Sequence, residues 1–231
     1  MTALSLVHTV RPAAPAANAD GERPPLLILM HGVGSNERVM AQLAPAFDPR
    51  FVMLSVRSPI ELGPNAFGWF HVAFSAQGPV IVAKEAEAGW KLLARFIDEA
   101  VAEYGADPAR VYLGGFSQGA IMALATLLTA PGKVAGAVAM SGRLLPEVLP
   151  RVAPDELRDK RVLIVHGTED EKLGIHLAGW AREQLARFPI ALTYRELPMG
   201  HTITEESLKV VTSWLSSALD VAHRVVEGAP R

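Results

Sequence analysis

Apolar residues in this chain fall into two kinds of run. Residues 26–30, Leu26-Leu27-Ile28-Leu29-Met30, are apolar at every position, as expected of a strand covered on both faces. Residues 3–10, 51–56, 110–114, 134–140, 161–165 and 190–197 read as further strands. Segments with helical spacing lie between them. The longest covers residues 83–104, with Trp90, Leu93, Phe96, Ile97 and Val101 on one face. Residues 37–47, 120–128, 174–188 and 204–219 complete the helical set. The run 120–128 is apolar almost all round, which predicts a buried helix, and Gly119, Ala120, Ala123 and Ala125 allow it to pack closely on a sheet. Strands alternating with helices across short turns predict an α/β fold, with a mostly parallel, doubly wound sheet flanked by helices.

Between the first and second helical runs, residues 57–82 are punctuated by Pro59, Gly63, Pro64, Gly68, Gly78 and Pro79. This reads as a long connection with little regular structure, and connections of that length tend to be functional. Residues 11–25 have the Pro/Ala/Gly/Asp composition of a flexible surface loop, and residues 221–231 read as a frayed tail. No internal repeat or second domain is visible, so residues 1–231 are expected to form one domain.

Composition narrows the classes of function. Half of the 231 residues are apolar and a fifth are charged, which suits a globular chain with a full core. The net charge is −2 and no basic stripe occurs, so no nucleic-acid footprint is expected. Without cysteine there is no disulfide, no thiol nucleophile and no thiolate metal site, and the balance leans toward the cytoplasm. No apolar run reaches the length of a membrane span, and no basic region precedes the short apolar stretch near the N-terminus. No spacing of His, Asp and Glu suggests a metal site.

The chemistry is concentrated in Gly115-Phe116-Ser117-Gln118-Gly119, which follows one predicted strand and opens the buried helix. A G-x-S-x-G at a strand-to-helix junction is a nucleophile elbow. The serine takes the tip of a sharp, strained turn, and glycines leave room where the two elements crowd each other. A serine hydroxyl is a weak nucleophile and needs a base, which in turn needs an orienting carboxylate. Both should follow later strands, at the carboxyl edge of the sheet. Residues 161–165 run into His166-Gly167-Thr168-Glu169-Asp170, and residues 190–197 into Pro198-Met199-Gly200-His201. The order Ser117, Asp170, His201 is that of α/β-hydrolases. Glu169 is the neighbouring competitor for the acid. Backbone N–H groups of Gln118 and of Val33, in His31-Gly32-Val33-Gly34, are the expected oxyanion donors.

These motifs resemble the small carboxylesterase/phospholipase family of α/β-hydrolases, which includes bacterial esterases and acyl-protein thioesterases. The resemblance rests on His31-Gly32-x-Gly34, Phe67-Gly68-Trp69-Phe70, Gly115-Phe116-Ser117-Gln118-Gly119, His166-Gly167-x-x-Asp170 and Gly200-His201, and covers residues 26 to about 215. It implies an α/β-hydrolase fold with a minimal lid and a serine hydrolase of carboxylic esters, and its register favours Asp170 over Glu169. It also implies that Trp69 and Phe70, with Phe67, lie beside the site as substrate-binding residues, against the alternative of a loop packed by its own aromatics, which holds for Phe74 too. Two departures bear on substrate choice. His71 stands where members often carry Asp, and Leu173-Gly174 where many have Val-Pro.

Other candidates read as structural. His31 and His166 are strand-end residues, His8 sits on the first strand, His176 on a helix surface and His223 in the tail. Ser141 lacks an elbow and reads as a turn residue. The expectation is a cytoplasmic serine carboxylesterase acting on short-to-medium acyl esters through an acyl-enzyme. The substrate is a small ester; no cofactor, nucleic acid or stable membrane insertion is called for, and a homodimer is admitted. Lysophospholipase or acyl-protein thioesterase activity uses the same groups, and a non-catalytic ligand-binding homologue is the remote alternative.

Overall fold

The computed structural model describes residues 4–15, 22–75 and 78–227, with side chains described except at residues 74, 75, 78 and 221–227. A seven-stranded sheet forms its centre. In chain order its strands are β1 (His8–Arg11), β2 (Leu26–Met30), β3 (Val52–Val56), β8 (Val111–Phe116), β9 (Gly136–Met140), β10 (Arg161–Gly167) and β11 (Ala191–Leu197), arranged β1-β3-β2-β8-β9-β10-β11. Only β1 runs antiparallel to its neighbour; the other five pairings are parallel.

The all-apolar strands are explained by helices on both faces. Leu26, Ile28 and Met30 belong to one core with helices α2 (Ala83–Tyr104), α3 (Gln118–Thr129) and α4 (Ile175–Leu185). Leu27 and Leu29 belong to a second core with α1 (Glu37–Ala41) and α5 (Glu205–Glu227). Period-two alternation thus sends successive residues of one strand into opposite cores. The expected α/β-hydrolase architecture is the one found.

Several expected boundaries differ. The first strand, expected over 3–10, occupies His8–Arg11; before it Leu6 is buried and the Ser5 N–H donates to Glu99 Oε2 at 2.7 Å. The helix expected over 37–47 stops at Ala41, and a single 3₁₀ turn, Ala44–Ala46, follows. Pro45 has no N–H to donate and disfavours helical backbone at Ala44. The last helix passes Leu219 and reaches Glu227, so part of the expected frayed tail is helical. No Gly or Pro interrupts the chain before Gly228. Its start is set by Thr204 and Ser207, whose hydroxyls each accept the other's backbone N–H, at 3.1 and 2.8 Å.

The largest correction concerns residues 57–82. Two antiparallel hairpins replace the expected irregular connection: β4 (Ile60–Gly63) with β5 (Ala66–Gly68), and β6 (Val72–Ser75) with β7 (Gly78–Ile81). The first turns through Pro64 and Asn65, and Asn65 has φ 57°, a left-handed conformation that asparagine tolerates. Both hairpins stand outside the main sheet.

The junction between β8 and α3 is closely packed. A Cβ on Gly115 would overlap the backbone of Gly119, and one on Gly119 would overlap the carbonyl of Met30 in β2. Gly119→Ala should therefore lower unfolding stability by about 2–4 kcal/mol. Urea denaturation beside the wild type checks this, and an unchanged midpoint would contradict the close approach.

Candidate active site

Ser117 sits between β8 and α3 with φ 55° and ψ −116°, outside the ordinary regions for a side-chain-bearing residue. The conformation is held from both sides. The Ser117 N–H donates to the Met140 carbonyl at 2.9 Å, and its carbonyl accepts the Ile121 N–H at 3.1 Å. The expected strained elbow is therefore present, and its hydroxyl is directed away from both elements toward the loops that follow β10 and β11.

His201 lies in the loop after β11. Its Nε2 is 3.0 Å from Ser117 Oγ, and its Nδ1 is 2.7 Å from Asp170 Oδ2. With Nδ1–H donating to the carboxylate, Nε2 is left to accept the serine proton, the tautomer that a base requires. The ring of Phe116 packs against the imidazole, with centroids 4.8 Å apart. Asp170 is fully enclosed at its side chain, and its other oxygen accepts the N–H groups of Lys172 (3.0 Å) and Leu173 (2.8 Å). A carboxylate so enclosed needs such partners to offset its lost hydration. Glu169 is exposed and stands outside this chain of hydrogen bonds.

His166 supports the acid from below. It is completely buried, its Nε2 donates to the Leu173 carbonyl at 2.6 Å, and the same nitrogen lies 3.4 Å from Asp170 Oδ2. His31 does comparable work at the other side of the site. Its Nδ1 donates to the Gly32 carbonyl at 2.7 Å, and its Nε2 accepts the Ser58 N–H at 3.1 Å. The Gly32 carbonyl and the Val33 N–H belong to one planar peptide and point in opposite directions. Tying the carbonyl back to His31 therefore turns the Val33 N–H outward. Among the described residues neither that N–H nor the Gln118 N–H has a protein acceptor, and Gln118 is the first residue of α3, where the helix leaves its N–H free. The two glycines of this loop serve different needs. Gly34 has φ 79°, whereas a Cβ on Gly32 would come 3.2 Å from Ser117 Cβ.

The side chain of Gln118 has a role that the sequence reading did not assign. Its Oε1 accepts the Trp69 N–H at 2.6 Å and its Nε2 donates to the Phe70 carbonyl at 2.7 Å. The residue after the nucleophile thus clamps the end of the first hairpin. The joint occurrence of Trp69-Phe70 and Ser117-Gln118 was the available signal.

A cleft of about 280 Å³ opens over Ser117 and His201, lined by Gly32, Val33, Phe70, Val72, Pro79, Ile81, Phe116, Gln118, Ile121, Arg143, Lys172 and Leu173. Most of the wall is apolar. Of the three aromatics expected to bind substrate, Phe70 lines it. Trp69 does not: it is fully buried behind the wall, close to Gly89 of α2. Phe67 does not either: its ring lies beneath the Arg57 guanidinium, 4.6 Å away. Phe74 lies outside the described side chains. Of the two departures, Leu173 lines the cleft, while His71 is exposed and paired with Glu85 of α2 at 2.9 Å. Ser141 follows β9 with φ 48° and does not line the cleft. Among the described residues no cluster of His, Asp and Glu could hold a metal ion.

A serine on a strained strand-to-helix turn, an acid after a later strand, then a histidine, over a parallel sheet with one antiparallel edge, define an α/β-hydrolase. Within that class the chain belongs to the Phospholipase/Carboxylesterase family, whose model matches residues 14–219. It is 29% identical to acyl-protein thioesterase 1 of Kluyveromyces lactis, over 94% of this chain and 98% of the relative. It is 30% identical to esterase YpfH of Escherichia coli, over 80% and 78% respectively. The fold superposes on a carboxylesterase from Mesorhizobium loti with a TM-score of 0.77 at 24% identity, covering 94% of this chain and 97% of the other.

Two outcomes follow from this geometry. Gln118→Leu leaves the buried Trp69 N–H and Phe70 carbonyl without partners, and should cost about 2–4 kcal/mol of stability, read by urea denaturation. The second concerns pH. Burial is the largest influence on both His31 and His166 and pushes each imidazole below its ordinary value of 6.5. Below pH 6.5 the unfolded chain therefore binds more protons than the folded one, and stability is lost as pH falls toward the folded-state values. Above pH 6.5 both rings are neutral in either state and the contribution is complete. The urea midpoint should fall between pH 7.5 and pH 5, and replacing either histidine by glutamine should flatten that slope. A slope that neither substitution changes would contradict the assignment.

Proposed function

We propose that this protein is a serine carboxylesterase that hydrolyses short-to-medium acyl esters through an acyl-enzyme. The observation that carries the reading is the hydrogen-bonded chain from Ser117 Oγ through His201 to Asp170, facing two backbone N–H groups that have no acceptor among the described residues. Ser117 Oγ attacks the ester carbonyl carbon as its proton passes to His201 Nε2. The carbonyl oxygen gains the negative charge and is held by the N–H groups of Val33 and Gln118, each typically worth ~3–4 kcal/mol in the transition state. Asp170 stabilises the imidazolium. His201 then delivers the proton to the departing alcohol, leaving the acyl group on Ser117. Water, deprotonated by His201, attacks that acyl group, and the acid leaves as the proton returns to Ser117.

A cleft of about 280 Å³ is at the small end for ligand sites, which favours short-to-medium acyl groups over long ones. A thioester reading is also supported, because relatives along nearly the whole chain are named acyl-protein thioesterases. Thioesters and lysophospholipids present the same carbonyl to the same groups. We further read the chain as one domain working in the cytoplasm. The absence of cysteine favours that compartment, and among the described residues no helix is long and apolar enough to cross a membrane.

The test is hydrolysis of p-nitrophenyl esters from C2 to C16, with labelling by a fluorophosphonate probe. Ser117→Ala should abolish labelling and lower kcat by roughly 10³–10⁶. Asp170→Asn should lower it by up to about 10⁴. Activity retained in Ser117→Ala, or near-full activity in Asp170→Asn with loss in Glu169→Gln, would overturn the assignment. Turnover of thioesters but of no oxygen ester would select the thioesterase reading.

A further inference from the structure

The cleft holds a cation that hydrolysis itself does not use. Arg143 follows Ser141 and Gly142 at the end of β9, and Gly142 packs so closely on α3 that a Cβ there would press on Ala120 and lie 3.3 Å from the Ser117 carbonyl. The arginine is thereby fixed beside the nucleophile turn, and its side chain lines the cleft. It is half-buried, and burial lowers its pKa from the ordinary value. Among the described residues it forms no ion pair and one hydrogen bond, a long 3.5 Å contact from Nη2 to the Pro79 carbonyl. Glu147, the acid whose field it feels, is exposed.

Arg11, Arg161, Arg182 and Arg195 also have no carboxylate partner among the described residues, but none of them lines the cleft, and other arginines are paired. Arg57 meets Glu37, Arg110 meets Asp107 and Arg151 meets Glu87, each within 2.7 Å. Arg143 instead lines the cleft, where Phe70, Val72, Ile81 and Ile121 share its wall and no carboxylate meets it among the described residues. Lys172 adds a second positive charge to the lining, and among the described residues no Asp or Glu lines it. Asp170 does not compensate, since its oxygens are spent on His201 and on two backbone N–H groups. A partly desolvated guanidinium with free N–H donors in an apolar wall is matched by a carboxylate or phosphate oxygen, which it can bind in a two-pronged fashion.

We propose that Arg143 is a specificity-determining residue that selects esters bearing an anionic group, a carboxylate or a phosphate, elsewhere in the substrate. The inference rests on the ester-hydrolase reading and names the substrate class of that same cleft. Bound substrate places its anion against Arg143 while its carbonyl lies between Ser117 and the two N–H donors. The contact is made equally before and during reaction, so it acts mainly on KM. Lys172, being exposed, contributes a weaker and salt-screened attraction.

The experiment compares matched pairs, with background from Ser117→Ala subtracted. Mono-p-nitrophenyl adipate against p-nitrophenyl hexanoate tests the carboxylate. Butyryl glycerol 3-phosphate against monobutyrylglycerol, followed by acid release, tests the phosphate. The readout is the ratio of kcat/KM, anionic over neutral. At least one ratio should be well above one in the wild type, fall roughly ten- to a hundredfold in Arg143→Gln, and be partly kept in Arg143→Lys. The larger ratio identifies the anion. Neutral-ester turnover in the same variants reports that they fold. Ratios near one in both arms, or ratios unchanged by Arg143→Gln, overturn the proposal while leaving the esterase standing. Failure of neutral and anionic esters alike in the wild type overturns both.

Discussion

The site depends on one close approach. Where α3 leaves β8, Gly119 lies against the carbonyls of Met30 and His31, leaving no room for even a methyl group. That contact locks the nucleophile turn onto the C-terminal end of β2, from which the loop carrying Val33 emerges. The two backbone donors facing the cleft therefore sit on segments in van der Waals contact, and cannot drift apart without breaking the core. The strained φ of 55° at Ser117 is held by the same packing, together with the bond from its N–H to Met140. Preorganisation of this kind is what gives an oxyanion site its strength, because the dipoles need not reorient as charge develops.

Buried polar groups extend the same rigidity outward. His31 turns the Gly32–Val33 peptide and joins the loops after β2 and β3 through Ser58. His166 braces the loop that carries Asp170 by holding the Leu173 carbonyl, while the Leu173 N–H holds the carboxylate. Gln118 reaches in the third direction and fixes the hairpin end at Trp69 and Phe70. Each of these side chains acts on a backbone group, and each is nearly or fully buried. Ser117, His201 and Asp170 are thus positioned by a shell whose own hydrogen bonds are strengthened by exclusion of water.

What could be read from the sequence, and what could not, divides along the range of the interactions. The doubly wound sheet was legible because the buried strands are apolar at every position and α2 keeps a clean stripe. Ser117, Asp170 and His201 were legible because the chemistry demands a glycine-flanked serine and then an acid and a base after later strands. Gly32 and Gly119 could be named, although only the structure shows that Ser117 Cβ and the Met30 carbonyl are what they make way for. The hairpins in residues 57–82 were missed because their strands have three or four residues each, too few for alternation to register. The turn signal of Pro64-Asn65 was present but read as loop punctuation. Trp69 was misplaced for a different reason. The motif puts it next to Phe70, in the bend after β5, and only tertiary packing decides which of the two side chains lines the cleft. Arg143 left no local trace, because its isolation from carboxylates is a property of the assembled pocket.

This division has a consequence for how the cleft does its work. The groups assigned to bond making are either backbone N–H groups or side chains held by buried hydrogen bonds. The groups that line the wall, among them Phe70, Leu173 and Arg143, are side chains at the ends of β9, β10 and the first hairpin. Replacing a wall residue changes shape or charge at the cleft without disturbing the contact between Gly119 and Met30 on which the nucleophile depends. One fold can then serve oxygen esters, thioesters or charged esters with the same carbonyl chemistry. The preference of this chain is then set by which side chains surround that carbonyl, and Arg143, half-buried among apolar neighbours, brings charge to that wall.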